Sequence, residues 1–474
     1  MYTSLKHAFR ILFRYRLYTL FAWLGLSIAV SSVWFIAQYV QQTQSFDAFH
    51  PEPEVIYRVT MEVAAGSETE HYATTGLPLG EQLQAQYPGV MAYARLTFRP
   101  GVIRHQDATF QESGVYTANS ETFQVFGFDW LEGSTPSPLA APNSLVLTES
   151  LAQKYFPTTQ AVGQTLMVDD EEYTVAGVFR DWPGTSHLEV QALLAAPAMA
   201  YDAQSWFDLE SYTYLRLNPS STHTQLNEQL QLLQERELVP IMEGSGLQAE
   251  LYAQPLPEVY FSSGLTYDVP KGNRAYVYAL TGAGWLIFLV AALNFVNLNL
   301  TRSTQRTKEI LVKKTLGMSP RQLWWQSGYE SLGVTLLVVI LAGVLVLLLR
   351  PYYESFTGLP MAPFQSMASL AALLVVSLLG LGLLGSGYSG TYLSFQRPTL
   401  SHISTQRPLL KHLLLGFQYT LAVILLVITL GMGRQLDYMR QKDMGFAQEH
   451  LLGALGGAGQ VEVHKVESCH QEDE

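Results

Sequence analysis

Five stretches without a charged residue, at 17–46, 275–301, 331–349, 367–393 and 413–433, limit what this chain can become. Each supplies the roughly 20 apolar residues that an α-helix needs to cross the hydrocarbon core of a bilayer. A mean hydropathy of +0.11 and only 14% charged residues agree with that reading and exclude a single soluble globule. The apolar body of the first stretch is longer than a signal-peptide core, and no small-x-small cleavage site closes it. A retained anchor is expected.

Lys and Arg near the span ends set the expected orientation. Lys6, Arg10, Arg14 and Arg16 precede the first span without an acidic neighbour. Residues 302–321 carry six basic residues and only Glu309, and Arg397, Arg407 and Lys411 occupy the loop near 397–411. All three segments are expected in the cytoplasm, which puts 41–274 outside. Between 41 and 275 there are 10 Lys and Arg against 29 Asp and Glu, whereas the whole chain has a net charge of −12. The acidic excess therefore belongs to the outer segment and argues against nucleic acid as a partner. With Cys469 as the one cysteine, no intrachain disulfide can form.

The outer segment reads as a folded α+β domain. Strands are expected at 56–63, 145–147, 165–168, 173–179 and 247–254, with an acidic turn at 169–172 read as a solvated hairpin. Thr148 is expected to cap a helix that Pro157 ends, and 224–237 is expected to be helical. His50, His71, His105, His187 and His223 lack metal-ligand spacing, and no nucleophile elbow occurs. The tail residues His464, Cys469 and His470 match no zinc pattern. No metal, cofactor or catalytic set is expected. There is no G-x-x-x-x-G-K-[ST] run, so ATP hydrolysis is expected from a partner.

The most informative segment is RSTQRTKEILVKKTLGMSPRQL, from Arg302. Basic residues alternate with Ile310, Leu311, Val312 and Leu316. Gly317 suits the position just past a helix end, where φ is positive, and Ser319, Pro320 and Gln322 form a helix-start signature. Helix, sharp turn and helix are expected. One reading of the loop is a positively charged topogenic turn; the other is a docking element with Ile310 and Leu316 as apolar anchors.

This loop resembles the coupling segment of MacB/FtsX-type ABC permeases, which read close to R-x-K-E-I-G-I-R-K-x-L-G-A-S. The match is carried by Arg306, Lys308, Glu309, Ile310, Lys314, Leu316, Gly317 and Ser319, with Leu311, Val312, Lys313 and Met318 as departures. The runs NSLVLTESLAQKYFPTTQAVGQTLMVDDEEYTVAGVFRDWP from Asn143, FDAFHPEPEVIYRV from Phe46 and FQYTLAVILLVITLGMGRQLDYMRQKDMGF from Phe417 also resemble that family. The resemblance implies a cytoplasmic ABC ATPase touching Arg306, Lys308, Glu309, Ile310, Lys313, Lys314, Leu316 and Gly317. It also implies movement passed through the membrane to the outer domain, and a second permease unit as either a homodimer partner or a missing second half.

The expected architecture is a membrane α-helical protein of about five transmembrane helices with an α+β extracytoplasmic domain inserted between helices 1 and 2. Its parts are 1–40, the inserted domain at 41–274, three helices at 275–396 with the coupling loop 302–323, a fifth helix within 397–433, and a tail at 434–474. The Gly-rich, acidic tail is expected to be a truncated second domain. Gly382, Ser386 and Gly390 fall on one helix face and are expected to serve close helix packing. The spans carry no ionisable residue in their apolar bodies, which counts against proton or ion coupling. A bacterial inner-membrane permease is the reading favoured, with a membrane-anchored extracytoplasmic sensor or scaffold as the alternative.

Overall fold

The computed structural model describes residues 16–441, except 107, 134–136, 157–159, 198–200, 306–311, 314, 363–367, 369–370, 373, 377–379 and 381–408, together with 451–453 and 463–465. Among the described residues four helices are long and apolar enough to cross a membrane, at Trp23–Gln44, Arg274–Phe295, Gly333–Thr357 and Leu415–Gln435. The expected fourth span at 367–393 lies mostly outside the described residues, as do Gly382, Ser386 and Gly390.

The spans belong to longer helices, Arg16–Gln44, Arg274–Gln305, Pro320–Thr357 and Leu409–Gln441. Aromatic residues mark the lipid–water boundaries: Tyr276, Tyr278, Tyr352 and Phe356 are exposed at one end, and Trp325 stacks on Tyr329 at the other. Trp325 and Tyr352 are 27 positions apart on one helix, about 40 Å, which is the thickness of a bilayer with its headgroup regions. The first three span helices pack through Leu26, Ala291, Phe295, Val334 and Val338.

Between the first and second span helices the described residues build a mixed sheet of thirteen strands. Along it run Leu247–Pro255, Ile56–Ala65, Ser211–Leu217, Val90–Phe98, Val115–Ala118, Ala192–Ala195, Ser144–Thr148, Glu171–Phe179, Thr165–Val168, Gly101–His105 and Ala108–Glu112. Glu68–Tyr72 and Trp130–Glu132 pair to its sides. Leu145, Val146 and Leu147 are all buried, as a central strand covered on both faces requires. Thr148 accepts from Leu151 N and so caps Glu149–Tyr155.

Helix His223–Leu233 starts at a capping box of Thr222 and Gln225 and buries Leu226, Leu230 and Leu233 on one stripe. Its other side chains finish an edge of the sheet. Asn227 Oδ1 accepts from Ala253 N at 3.4 Å and Gln234 Oε1 from Leu251 N at 3.3 Å, so the outer rim of Leu247–Pro255 does not offer these backbone groups to another chain.

The hairpin differs from expectation in one detail. Strand Glu171–Phe179 begins two residues earlier than 173, which leaves a two-residue turn of Asp169 and Asp170 with φ of 49° and 75°. Positive φ at both central residues is the turn that matches strand twist, and Asp tolerates it.

Candidate functional site

Two places define the candidate site: the turn between the second and third span helices, and the junction where the spans meet the inserted domain. At the turn, Gly317 has φ of +88° and Met318 N donates to Lys313 O at 3.0 Å, the 6→1 bond of a Schellman helix end. Ser319 then restarts the chain: its Oγ accepts from Gln322 N at 3.4 Å while Gln322 Oε1 accepts from Ser319 N at 3.0 Å. Pro320 opens the third span helix. Leu316 is 81% exposed and Val312 57%, so two apolar side chains face outward from a turn whose backbone is fixed. Lys313 is half-buried. Arg306, Lys308, Glu309, Ile310 and Lys314 lie outside the described residues.

The junction is a set of buried polar groups. Asp47, just past the first span helix, sits fully buried at φ of 60°. Its N–H donates to Thr185 O at 2.8 Å, and its Oδ1 accepts from His187 N at 3.0 Å. His187 Nδ1 lies 2.8 Å from the same oxygen, and His187 Nε2 is 2.6 Å from Tyr214 Oη. The carboxylate only accepts, so Nδ1 carries the ring proton and Nε2 accepts from the Tyr214 hydroxyl. Burial lowers the His187 pKa against the pull of Asp47, and burial raises Tyr214 well above the usual phenol range.

His50 packs among Phe49, Phe126 and Trp182, and its two ring nitrogens have no partner. Burial pushes its pKa down to about 4.

The chain returning to the membrane is held by a second anchor. Arg58 is fully buried in strand Ile56–Ala65. Its Nη1 donates to Asp268 Oδ1 at 2.8 Å, and its Nη2 donates to Gln254 Oε1 at 2.9 Å and to Asp268 Oδ2 at 3.2 Å. Lys271 Nζ stands 3.1 Å from Asp268 Oδ1, and burial pulls the lysine down to about 8. Phe46 and Tyr260 stack at 3.4 Å, joining the outgoing and returning segments directly. The outgoing connection thus ends in a buried Asp47–His187 hydrogen bond and the returning one in a buried Arg58–Asp268 ion pair.

The acidic hairpin is less free than its sequence suggests. Asp169 Oδ1 accepts from Val102 N at 2.8 Å, Arg99 Nη2 reaches Glu171 at 3.4 Å, and Arg104 pairs with Asp170. Residues 169–172 are exposed, as expected of a solvated turn, and two arginines that the sequence did not announce, Arg99 from the link after Val90–Phe98 and Arg104 from Gly101–His105, answer the negative charge. Among the described residues no three His, Cys, Asp or Glu side chains gather in a way that could hold a metal ion.

Sequence reasoning also missed the junction. Asp47 and His187 are 140 positions apart, and Arg58 and Asp268 are 210 apart, so no spacing rule joins them. The run FDAFHPEPEVIYRV held Asp47, His50 and Arg58 together; the usable signal was a buried-strand pattern interrupted by an arginine.

Comparison with known proteins places the chain. Residues 19–233 match the MacB-like periplasmic core domain, and residues 282–398 match the FtsX-like permease C-terminal domain. No curated protein sequence matches the chain. Three solved structures are similar to its inserted domain. A domain of a permease protein from Porphyromonas gingivalis is 21% identical and covers 49% of this chain and 98% of its own, with a TM-score of 0.39. The periplasmic region of MacB from Actinobacillus actinomycetemcomitans is 14% identical, with coverage of 42% and 90% and a TM-score of 0.31. The extracellular domain of the noncanonic ABC-type transporter YknZ from Gram-positive bacteria is 14% identical, with coverage of 41% and 99% and a TM-score of 0.30. The two domain matches, in this order around apolar spans, define a multi-pass ABC-type permease of the bacterial inner membrane. Within that class the chain belongs to the MacB/FtsX type.

Proposed function

We propose that this permease passes movement from a separate cytoplasmic ABC ATPase to its extracytoplasmic domain, driving export or extraction of a substrate. The observation that carries this reading is the pair of buried polar anchors, Asp47 hydrogen-bonded to His187 and Asp268 ion-paired with Arg58, on the two segments joining spans and sheet. A tether that only held a sensor near the membrane would tolerate a flexible linker. Here each connection is fixed by buried polar contacts, so a shift of either span must tilt or strain the sheet.

In this reading the amino terminus and the Gly317 turn face the cytoplasm, and Ile310 and Leu316 seat in a groove of the ATPase with the basic residues around them. The permease hydrolyses no ATP itself. It works beside a second permease unit, in a homodimer or as the other half of a duplicated transporter. The basic residues flanking the spans support this orientation.

The test is affinity purification of the full-length chain in mild detergent, with identification of the proteins that accompany it. Recovery of an ABC ATPase supports the reading. Recovery of a kinase or regulator without an ATPase supports a sensor instead. Impermeant thiol labelling provides the orientation arm: a cysteine placed at position 308 in a chain lacking Cys469 should remain unlabelled in intact cells.

A further inference from the structure

The third span helix, Pro320–Thr357, is continuous from the Ser319 cap to Gly358, 38 residues or about 57 Å. It lies beside the first span helix, and two side-chain bonds set their register. Ser27 Oγ donates to Val338 O at 3.3 Å, and Tyr353 Oη donates to Gln42 Oε1 at 2.8 Å. Both pairs are separated by the same 311 positions, so the two helices run parallel and level along their length.

The outer tip of this helix meets the inserted domain. Gln42 Nε2 donates to Pro360 O at 2.6 Å. The turn after Gly358 is held to its own helix by Glu354 Oε1, which accepts from Met361 N at 2.9 Å and from Arg350 Nε at 2.8 Å. Leu359 and Pro360 lie against Gly184, where an added Cβ would stand 3.4 Å from each. Gly184 is next to Thr185, whose carbonyl accepts from Asp47, so the tip touches the same cluster that anchors the first span.

Among the described residues of the first span helix, the Gln38 amide, which is fully buried, and the Trp23 indole N–H are buried without a partner. Each stands one turn before a residue that does bind the third span, Trp23 before Ser27 and Gln38 before Gln42. Residues four apart share a helix face. An unpaired amide is costly between membrane helices, where no water can satisfy it.

We propose that the third span helix slides along the first between two registers one helical turn apart. In the observed register Tyr353 binds Gln42 and Val338 O receives Ser27. In the withdrawn register Tyr353 binds Gln38 and Val338 O receives the Trp23 N–H. A displacement of four residues, about 6 Å toward the Ser319 end, brings both unpaired groups to their partners. The same displacement draws Leu359 and Pro360 away from the Gly184 turn and frees the domain from the tip. One-turn ratchets of packed helices occur in other switching proteins. This proposal rests on the function proposed above, because it names the movement by which force would reach the domain. Gln38, Gln42, Trp23 and Tyr353 are then positioning residues for that movement.

Cysteine pairs in a chain with Cys469→Ser distinguish the registers. A disulfide needs Cα atoms within about 7 Å, so Gln42→Cys with Tyr353→Cys reports the observed register and Gln38→Cys with Tyr353→Cys the withdrawn one. Mild oxidation is applied to membranes holding the full chain alone, and to membranes also holding the ATPase recovered by purification, with and without ATP and vanadate. Both pairs should form, with the 38–353 share changing on nucleotide trapping. Trp23→Phe keeps an aromatic ring but removes the N–H, and it should lower the 38–353 yield about fivefold, the worth of one net hydrogen bond, while leaving the 42–353 pair alone. If 42–353 forms and 38–353 never does under any condition, the slide is overturned, whatever the ATPase does. If 38–353 forms but ignores ATPase and nucleotide, the slide stands and the ATP-driven reading fails.

Discussion

Replacing Asp268 with Asn should unfasten the returning connection between sheet and membrane. Arg58 has no exposed surface and donates two of its hydrogen bonds to this carboxylate, at 2.8 and 3.2 Å, while Lys271 approaches at 3.1 Å. The amide keeps the shape and loses the charge. Two cations are then left buried, with only neutral partners for Arg58, the new amide oxygen, Gln254 and Ser262. Removing one member of a buried pair costs about 3 to 5 kcal/mol. For a domain of about 200 residues each kcal/mol moves the melting temperature by roughly 2 to 4 °C, so a fall of about 6 to 20 °C is expected. Thermal unfolding of the detergent-solubilised full chain provides the assay. Adding Lys271→Met to the Asn variant removes one stranded cation and should restore part of the loss. A shift below about 2 °C for Asp268→Asn would refute the argument, because it would mean that water reaches Arg58 and screens it.

Three further outcomes follow from the same structure. His50 is held at about 4 against an unfolded value near 6.5, so as pH falls the unfolded chain takes the proton first. Stability should be complete above about pH 6.5 and decline toward pH 4, by about 2 kcal/mol at pH 5, and His50→Phe should flatten the decline in melting temperature against pH. Gly317→Val should impair coupling by forcing a β-branched residue to φ of +88°, although space is open around it; the check is loss of ATPase stimulation with an unchanged melting temperature. Thr148→Ala should cost about 1 kcal/mol by leaving Leu151 N without its cap, measured in the same unfolding assay.

Local chemistry was legible in the sequence and distant pairing was not. Ser319, Pro320 and Gln322 announced the helix start, and Gly317 announced the stop, because caps and turns are settled by residues within a few positions of one another. Thr148 and the strand at 145–147 were readable for the same reason. The junction was hidden because His187 and Asp268 reach Asp47 and Arg58 only once the sheet brings them together. Histidines read as scattered are, for His50 and His187, neighbours in one buried cluster. The acidic turn was located correctly but its arginine partners were not, since Arg104 arrives from the adjacent strand and Arg99 from the link before it. The described strands of the inserted domain form one continuous sheet, because Val115–Ala118 pairs with both Val90–Phe98 and Ala192–Ala195. The register of the first and third spans was equally invisible, since apolar stretches carry no signal of what lies beside them.

Whether the Gly317 turn receives force for the domain is read from ATPase stimulation by the reconstituted permease. Ile310→Asp with Leu316→Asp places two charges where apolar anchors are proposed to seat, and Leu316 is 81% exposed, so folding should not suffer. Loss of such anchors weakens association by about tenfold or more. The double variant should lose stimulation while its melting temperature stays with the parent chain. Full stimulation at an unchanged melting temperature would contradict it, and would leave the turn as a positively charged topogenic loop.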